Sequence, residues 1–191
     1  MMNPSNKKNN SPQRYILIDT TIFQHLGNKE LASQIIFLLR DALKKGYGVS
    51  MSIYSLLELI DTSTIENEIN AINATNGIKR FQINQTVLIT AGHLGCLYKD
   101  DGLDKQPEKG DKVIAATSLL NNTVIFTTNG RDFPRPFFKT ITKPMLKYTK
   151  QDGREVCLIS YFLEPDIELI STKHQERIDE HNNKNIKKDS G

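Results

Sequence analysis

Five side chains with carboxylate or amide oxygens lie in or directly beside predicted strands and helices, namely Asp19, Glu58, Asp111, Asn129 and Asp132. Asp19 ends an apolar run, Asp111 opens a helical segment, and Asn129 follows a later apolar strand. Carboxylates held close together repel one another and take up protons unless a hard divalent cation neutralises them. Oxygen ligands without cysteine or histidine suit magnesium or manganese rather than zinc. The pattern therefore favours a metal-dependent site.

Each of these residues also has a purely structural explanation. Asp19 is a good N-cap for a following helix, and Asp111 is a favourable partner for a helix dipole. Asn129-Gly130 is a typical hairpin turn, and Glu58 reads as a solvated helix residue among leucines. The placement of all of them in one chain favours the functional explanation over four separate structural ones.

Histidine and cysteine do not complete a second kind of site. His93 lies on a predicted helix with Cys96 about one turn further on, but no other pair of these residues would complete a zinc site. Cys96 and Cys157 lie far apart and form no Cys-x-x-Cys motif, so we expect free, buried thiols.

The elements that must position the acids alternate between strands and helices. Short apolar runs predict strands at 15–18, 49–53, 81–83 and 124–127, and helical spacing predicts helices at 31–43, 56–60, 63–77, 87–99 and 111–120. Parallel strands need crossovers, so this alternation predicts a three-layer α/β/α domain with a mostly parallel sheet. Such sheets bind ligands outside the carboxyl ends of their strands, where Asp19 would lie.

The remaining segments are predicted to flank this domain, which spans 14–142. The predictions are a disordered tail at 1–13, a mobile lid at 100–109, an appended unit at 143–172 and a charged tail at 173–191 with at most one helical stretch. Within the appended unit we expect a β-hairpin, with strands at 155–163 and 167–170 joined by a turn at 164–166.

Composition leaves the partner open and favours a cytoplasmic protein. The 191 residues suit one domain with tails, and the net charge of +3 is too small to indicate a nucleic-acid binder by itself. There is no apolar run of about eighteen residues and no hydrophobic signal segment at the amino terminus, so we expect no membrane association.

Four segments, in this order, resemble a PIN domain, and within that superfamily the ribonuclease toxins of VapBC toxin-antitoxin pairs. They are Leu17-Ile18-Asp19-Thr20, Ser55-Leu56-Leu57-Glu58-Leu59, Gly110-Asp111-Lys112-Val113-Ile114-Ala115-Ala116-Thr117 and Phe126-Thr127-Thr128-Asn129-Gly130-Arg131-Asp132-Phe133. The resemblance covers about 15–133. It implies a metal-dependent endoribonuclease whose catalytic acids are Asp19, Glu58 and Asp111.

The resemblance also assigns the remaining roles. The fourth acidic position falls on Asn129, and Asp132 follows in the same loop. Because Asn129 is neutral, the number of bound Mg²⁺ or Mn²⁺ ions, one or two, stays open. An RNA substrate, an antitoxin partner and a homodimer are implied as well. From the residues, we expect Thr20 and Thr127 to support the site with hydroxyls. The nearest cations for RNA phosphates are Lys109, Lys112, Arg131 and Arg135.

Two other functions remain open. One is a PIN-like protein that binds RNA or a partner without cutting. The other is a receiver-like phosphoacceptor module, which Lys143-Pro144 late in the chain would suit. Its pattern has paired acids after the first strand, however, whereas Asp19 is single and the middle acid is Glu58.

Overall fold

The structure is a computed structural model that describes residues 13–61, 65–102 and 106–189. Its strands are β1 (Tyr15–Ile18), β2 (Gly48–Ser52), β3 (Lys79–Phe81), β4 (Val124–Thr127), β5 (Phe138–Thr142), β6 (Met145–Thr149), β7 (Glu155–Ile159) and β8 (Tyr161–Pro165). Its helices are α1 (Thr20–His25), α2 (Lys29–Lys44), α3 (Ile53–Ile60), α4 (Ile65–Ala74), α5 (Gln85–Asp100), α6 (Lys109–Asn121) and α7 (Ile167–Asp189).

Six strands form the central sheet in the order β3-β2-β1-β4-β8-β5. The four strands from β3 to β4 are parallel, and β8 is antiparallel to both of its neighbours. The predicted mostly parallel sheet is therefore confirmed. The order differs from the 2-1-3-4-5 order of receiver-like modules, because β1 lies between β2 and β4. This topology contradicts the phosphoacceptor alternative.

Side chains of β1 and β4 alternate between two cores, one on each face of the sheet. Leu17 and Ile125 pack with α5, α6 and α7 on one face. Ile16 and Phe126 pack with α1, α2 and α3 on the other. Successive residues of a strand point to opposite faces, so a central strand that is apolar throughout supplies both cores. These two cores give the predicted three layers.

The two strands predicted for the hairpin near the carboxyl terminus, 155–163 and 167–170, are wrong. The apolar run from Glu155 is interrupted at Ser160, whose amide and hydroxyl both donate to the carbonyl of Pro144, at 2.9 and 3.0 Å. Before this break, β7 pairs with β6 in a separate two-stranded sheet. After it, β8 enters the central sheet between β4 and β5 instead of forming an appended hairpin.

The segment 167–170 is the first turn of helix α7, not a strand. Asp166 accepts a hydrogen bond from the backbone N–H of Leu169 at 3.2 Å, as a residue at the start of a helix does. Ile170 packs into the core beside α5 and α6. The helix continues through most of the predicted charged tail, to Asp189.

Several predictions lie in part outside the described residues. These are the tail at 1–13, of which only Gln13 is described, and the lid at 100–109, of which 103–105 is not described. Strand β3 is at Lys79–Phe81, two residues before its predicted position. Within the described ranges, no helix combines the length and apolar character needed to cross a bilayer.

Candidate active site

The sheet reverses its order of connection at β1, and polar side chains gather at that point. Strand β1 is flanked by β2 on one side and by β4 on the other. In open α/β sheets, such a reversal leaves a crevice at the carboxyl ends of the two strands. Asp19 follows β1 directly, and its N–H donates to the carbonyl of Phe126 in β4 at 3.0 Å. Asp19 therefore lies at the carboxyl edge of the sheet, where the sequence predicted it.

Asp19 is held in one orientation by three hydrogen bonds. Its carboxylate accepts from the amide of Thr20 at 2.8 Å and from the hydroxyls of Thr21 and Thr127 at 2.7 and 2.6 Å. The side chain is only 3% exposed. Burial raises the pKa of Asp19, while the hydrogen bonds from the two hydroxyls and the Thr20 amide oppose the rise. Asp19 therefore caps α1 and also presents a buried carboxylate at the crevice.

Glu58 reaches the same place from α3. Its Oε2 accepts a short hydrogen bond from the hydroxyl of Thr20, the residue after Asp19. The side chain is half-buried. Burial raises its pKa most, the Thr20 hydrogen bond lowers it, and the charges of Asp19 and Glu108 raise it further. Glu58 is therefore not the solvated helix residue that its sequence context also allowed.

Asp111 stands in the first turn of α6 and closes a capping box. Its Oδ2 accepts from the backbone N–H of Glu108 at 3.1 Å. Burial, together with the charges of Asp132, Asp19 and Glu108, raises the pKa of Asp111 to about 7, against the opposing Glu108 hydrogen bond. The structural explanation for Asp111 is thus correct. The charges of Asp19 and Asp132 also act on its pKa, so Asp111 joins Asp19 and Glu58 in one acidic group.

Gly110 allows α6 to approach α3 closely enough for Tyr54 and Glu58 to pack against its backbone. A Cβ atom added at Gly110 would lie 2.5 Å from Tyr54 Cε1 and 2.7 Å from Glu58 Oε1. Real side chains do not tolerate such distances, so the Tyr54 ring or the Glu58 carboxylate would have to move. The absence of a side chain at Gly110 therefore helps to set the position of the Glu58 carboxylate.

Asn129 and Asp132 form a pair in the loop after β4. The Asn129 amide nitrogen donates a short hydrogen bond to the Asp132 carboxylate. The Asn129 backbone N–H donates to the Thr127 hydroxyl at 2.8 Å, which links this pair to Asp19. Since β4 pairs with β1 and β8 and not with the next strand along the chain, Asn129-Gly130 is not a hairpin turn. Asn129 is exposed and Asp132 is half-buried.

The predicted hydroxyls lie where the site needs donors, and Thr21 adds one that the sequence interpretation did not select. Thr127 is fully buried and donates to Asp19, and Thr20 donates to Glu58. Thr21 donates to the same Asp19 oxygen as Thr127, and the two hydroxyl oxygens are 3.3 Å apart. The sequence signal that could have identified Thr21 is its position two residues after Asp19, the acid that caps α1.

Tyr54 and Glu108 are two further neighbours that sequence reasoning missed. The Tyr54 ring contacts the position of Gly110, and burial together with the charges of Glu58, Asp111 and Glu108 raises the pKa of its hydroxyl. Tyr54 lies four residues before Glu58 on α3, which is the spacing of side chains on one helix face. That spacing could have identified it.

The four predicted cations fall into two groups. Lys109 is exposed at the start of α6, and the Lys112 side chain lies along α5, where Gly95 leaves room for it. Arg131 and Arg135 are exposed and line a groove in the segment after β4. The structure thus brings Arg131 and Arg135 together and leaves the two lysines on α6.

The donor set of the acidic group suits a hard cation, although its carboxylates are paired with protein donors in this conformation. Within residues 13–61, 65–102 and 106–189, no three Asp, Glu, His or Cys side chains form a metal-binding group. Asp19, Glu58 and Asp111 nevertheless supply oxygen ligands only, and burial raises the pKa of each by disfavouring its charged form. An added cation would stabilise that charged form.

The histidine and cysteine candidates lie elsewhere. His93 stacks on His174 of α7 with ring centroids 4.4 Å apart. Both cysteines are free, as predicted. The expectation that both thiols are buried is wrong. Cys96 is half-buried, and Cys157 is exposed on β7, where alternate side chains face solvent.

Comparison with solved structures finds chains of toxin-antitoxin complexes. One is in VapBC2 from Rickettsia felis bound to a DNA fragment from their promoter, with 20% identity and a TM-score of 0.52 over 62% of this chain and 90% of that one. Another is in VapBC-1 from nontypeable Haemophilus influenzae, with 22% identity and a TM-score of 0.50 over 62% and 90%. A third is in a toxin-antitoxin complex from Klebsiella pneumoniae, with 22% identity and a TM-score of 0.48 over 63% and 92%.

No family model matches the sequence, and neither does any curated protein. The likeness to the first two structures, with TM-scores of 0.52 and 0.50, therefore concerns the fold. It confirms the predicted α/β fold, which this chain shares with chains of those two VapBC complexes.

Proposed function

We propose that this protein is a metal-dependent endoribonuclease that hydrolyses RNA phosphodiester bonds, and that it is the toxin of a type II toxin-antitoxin pair. One observation carries the nuclease proposal. At the point where the sheet reverses its order of connection, the Asp19 N-cap is followed by Thr20, which donates to Glu58, and Glu58 packs against Gly110, the residue before Asp111. Burial raises the pKa of all three acids, and a protein keeps buried carboxylates at a crevice when their charges have a use.

Asp19, Glu58 and Asp111 would hold Mg²⁺ or Mn²⁺. The ion would supply a nucleophilic water at neutral pH and stabilise negative charge on the phosphoryl oxygens. Asp19 is fixed by Thr20, Thr21 and Thr127 and so offers a preset oxygen. Glu58 would have to exchange its Thr20 hydrogen bond for the ion, and Asp111 would have to lose its proton.

The toxin role is proposed on the fold and on the names of its structural neighbours. The similar solved chains belong to VapBC complexes. By analogy, this chain would bind an antitoxin protein, and the resemblance to that family adds a homodimer. The adjacent reading frame tests this role, because a small antitoxin gene beside this one supports it and its absence favours a nuclease with another task.

A nuclease assay tests the proposed reaction. A labelled hairpin RNA and the matching hairpin DNA are incubated with the protein in magnesium, manganese or chelator. Cleavage of the RNA loop that needs the metal, with little cutting of duplex DNA, is the expected result, because a net charge of +3 offers no broad basic face for a duplex.

The Asp19→Asn variant, purified in the same way, controls for contaminating nucleases. Cleavage that survives chelator or is equal in this variant would assign the activity to another protein. RNA binding without cleavage under every metal condition would support the PIN-like binding protein instead.

A further inference from the structure

A groove beside the acidic group combines three cations with one aromatic ring. It has a cavity volume of about 350 Å³, at the lower end of the range of small-ligand sites. Its polar and aromatic rim is formed by Gly130, Arg131, Arg135, Thr140, Lys143 and Tyr161. The buried side chains of Phe133, Phe138 and Leu163 also line it, and among the described residues no acidic side chain does.

Tyr161 gives this groove a flat aromatic wall. A Cβ atom added at Gly130 would lie 2.9 Å from Cγ and Cδ2 of the Tyr161 ring, so the ring packs directly against the glycine backbone. The Lys143 ammonium lies 5.6 Å from the ring centroid. Tyr161 is half-buried, which leaves part of the ring accessible from the groove. Gly130 thus fixes the ring in place, and Lys143 sets a positive charge over it.

Arg131, Arg135 and Lys143 make the groove strongly basic in a chain that is nearly neutral. All three side chains are exposed, and the Arg135 guanidinium donates to the Thr140 hydroxyl at 3.2 Å, which orients it along β5. Three positive charges without a lining carboxylate equal the net charge of the whole chain. Local charge of this kind attracts phosphate groups.

The groove opens next to the candidate catalytic acids. Gly130 is three residues after Thr127, whose hydroxyl bonds to Asp19, so the two Cα atoms are at most about 11 Å apart. Asn129 and Asp132, which are joined by a hydrogen bond, lie on either side of Gly130 and Arg131. A nucleic-acid strand with one phosphate at the acids can therefore place a neighbouring nucleotide in the groove.

We propose that this groove holds an unpaired nucleobase of the RNA strand next to the scissile phosphate. The base stacks on Tyr161, while Arg131, Arg135 and Lys143 contact the flanking phosphates. Aromatic rings and positive charges along a groove are how proteins grip single strands, and paired bases in a duplex cannot enter such a site. This inference rests on the nuclease function proposed above and names the subsite that selects single-stranded or looped substrate.

The Tyr161→Trp substitution provides a direct reporter of stacking. The chain contains no tryptophan, so the introduced indole is the sole source of tryptophan fluorescence. In chelator, where no cleavage occurs, a single-stranded RNA is titrated beside a strand of the same length with abasic sites in its middle. We expect the RNA to quench the fluorescence and the abasic strand to quench it far less. Equal quenching by the two strands would overturn base stacking.

Binding by variants of Tyr161 provides the second measurement. Tyr161→Phe keeps the ring, whereas Tyr161→Leu keeps apolar contact with the core but removes the stacking surface. We expect Tyr161→Leu to weaken RNA binding in chelator about tenfold and Tyr161→Phe to bind like wild type. Equal Kd values for all three proteins, with unchanged melting temperatures, would overturn the proposal. Quenching and binding by a DNA strand as well would support it, since stacking does not use the 2′-hydroxyl.

The cations are tested by the salt dependence of binding. Arg131→Gln and Lys143→Gln should each lower the slope of log Kd against log salt concentration by about one phosphate contact. Lys150→Gln, in the turn between β6 and β7, is the matched control and should not change it. A slope change equal to that of the control would overturn the role of the cations.

These measurements separate the failure of the subsite from the failure of the nuclease function. Binding in chelator does not depend on cleavage, so loss of binding in Tyr161→Leu supports the groove even if no RNA is cut. If the wild-type protein cuts RNA, Tyr161→Leu should raise KM and leave kcat nearly unchanged, because stacking contributes to binding. Metal-dependent cleavage with an unchanged KM in this variant would leave the nuclease proposal intact and overturn the subsite.

Discussion

Two regions at the same edge of the sheet differ in how their charges are held. The acidic group consists of Asp19, Glu58 and Asp111, which are buried or half-buried and accept hydrogen bonds from named protein donors. The basic groove carries Arg131, Arg135 and Lys143, which are exposed. Burial raises the pKa of each acid, and neighbouring negative charges raise the pKa of Glu58 and Asp111 further, whereas the cations remain in water at little cost.

The difference follows from what positions each region. The acids stand at the ends of regular elements, where packed strands and helices fix them against their repulsion. The groove is built from the irregular segment between β4 and β5, from β5 with Lys143 just after it, and from β8. The acidic group is thus suited to fixed geometry at a reacting centre, and the groove to a flexible strand.

The largest expected effect comes from removing one charge of the acidic group. Asp19→Asn and Asp111→Asn should each lower metal-dependent RNA cleavage on the order of 1,000-fold, because the ion's contribution of several kcal/mol to the transition state is lost. Calorimetric titration with Mg²⁺ or Mn²⁺ should show no binding in either variant.

Asp41→Asn is the matched control for these two variants. Asp41 lies on α2, where it pairs with Lys45 at 2.7 Å, away from the sheet edge. It should bind the metal and cleave like wild type. Metal binding that is unchanged in both Asp19→Asn and Asp111→Asn would refute the metal assignment.

Glu58→Gln should separate function from stability. The amide oxygen of glutamine can still accept from the Thr20 hydroxyl, and the neutral side chain no longer repels Asp19. Cleavage should fall about 100-fold, while Tm stays at or above that of wild type. Thermal unfolding and the RNA assay measure the pair of effects, and a strongly lowered Tm would indicate that Glu58 is a structural residue.

The acids were predictable from sequence because local pattern determines where they lie. Asp19 directly follows a four-residue apolar strand, and Glu58 is the one acid in an apolar helical segment. Their donors were partly visible, because Thr127 was predicted and Thr21 was not. Thr21 lies two residues after Asp19 in α1, and Thr127 lies 108 residues after it at the end of β4; the two donate to the same carboxylate oxygen. Only the pairing of β1 with β4 brings Thr127 to Asp19.

The basic groove was only half predictable, because local periodicity does not determine how strands pair in the antiparallel part of the sheet. The segment from Glu155 to Leu163 forms one apolar run in the sequence, and the break at Ser160 depends on its hydrogen bonds to distant Pro144. The misassigned hairpin hid the contact of Tyr161 with Gly130. Arg131 and Arg135 were selected for nearness in sequence alone.

Gly110→Ala should disturb the acidic group without removing a charge. The added methyl group would displace Tyr54 or the Glu58 carboxylate, so we expect about 1–3 kcal/mol of destabilisation and a lower cleavage rate. Gly92→Ala is the matched control, because Gly92 lies within α5 with nothing within 4 Å of an added Cβ. That variant should be slightly stabilised. Equal stability and activity of the two variants would show that α3 and α6 are not closely packed.

The smallest expected effect is a pH dependence of stability from Asp111. The pKa of its carboxyl is raised from its ordinary value of 3.8 to about 7 in the folded protein, mainly by burial. Between pH 4 and pH 7 the folded state therefore binds more protons than the unfolded state, and the free energy of unfolding must fall as the pH rises through this range. Because the side chain is partly exposed, the loss is on the order of 1 kcal/mol.

Urea unfolding in chelator at several pH values gives the free energy of unfolding of wild type and of Asp111→Asn. Wild type should lose stability relative to the variant from pH 4 to pH 7. It should regain part of that loss at pH 7.5 when magnesium is added. Asp166→Asn should show the opposite sign, because the hydrogen bond from Lys139 lowers the pKa of Asp166, so its contribution is lost as the pH falls. A wild-type curve parallel to that of Asp111→Asn would show that this carboxylate titrates as in water, and the contrast between the acidic group and the basic groove would then rest on Asp19 and Glu58 alone.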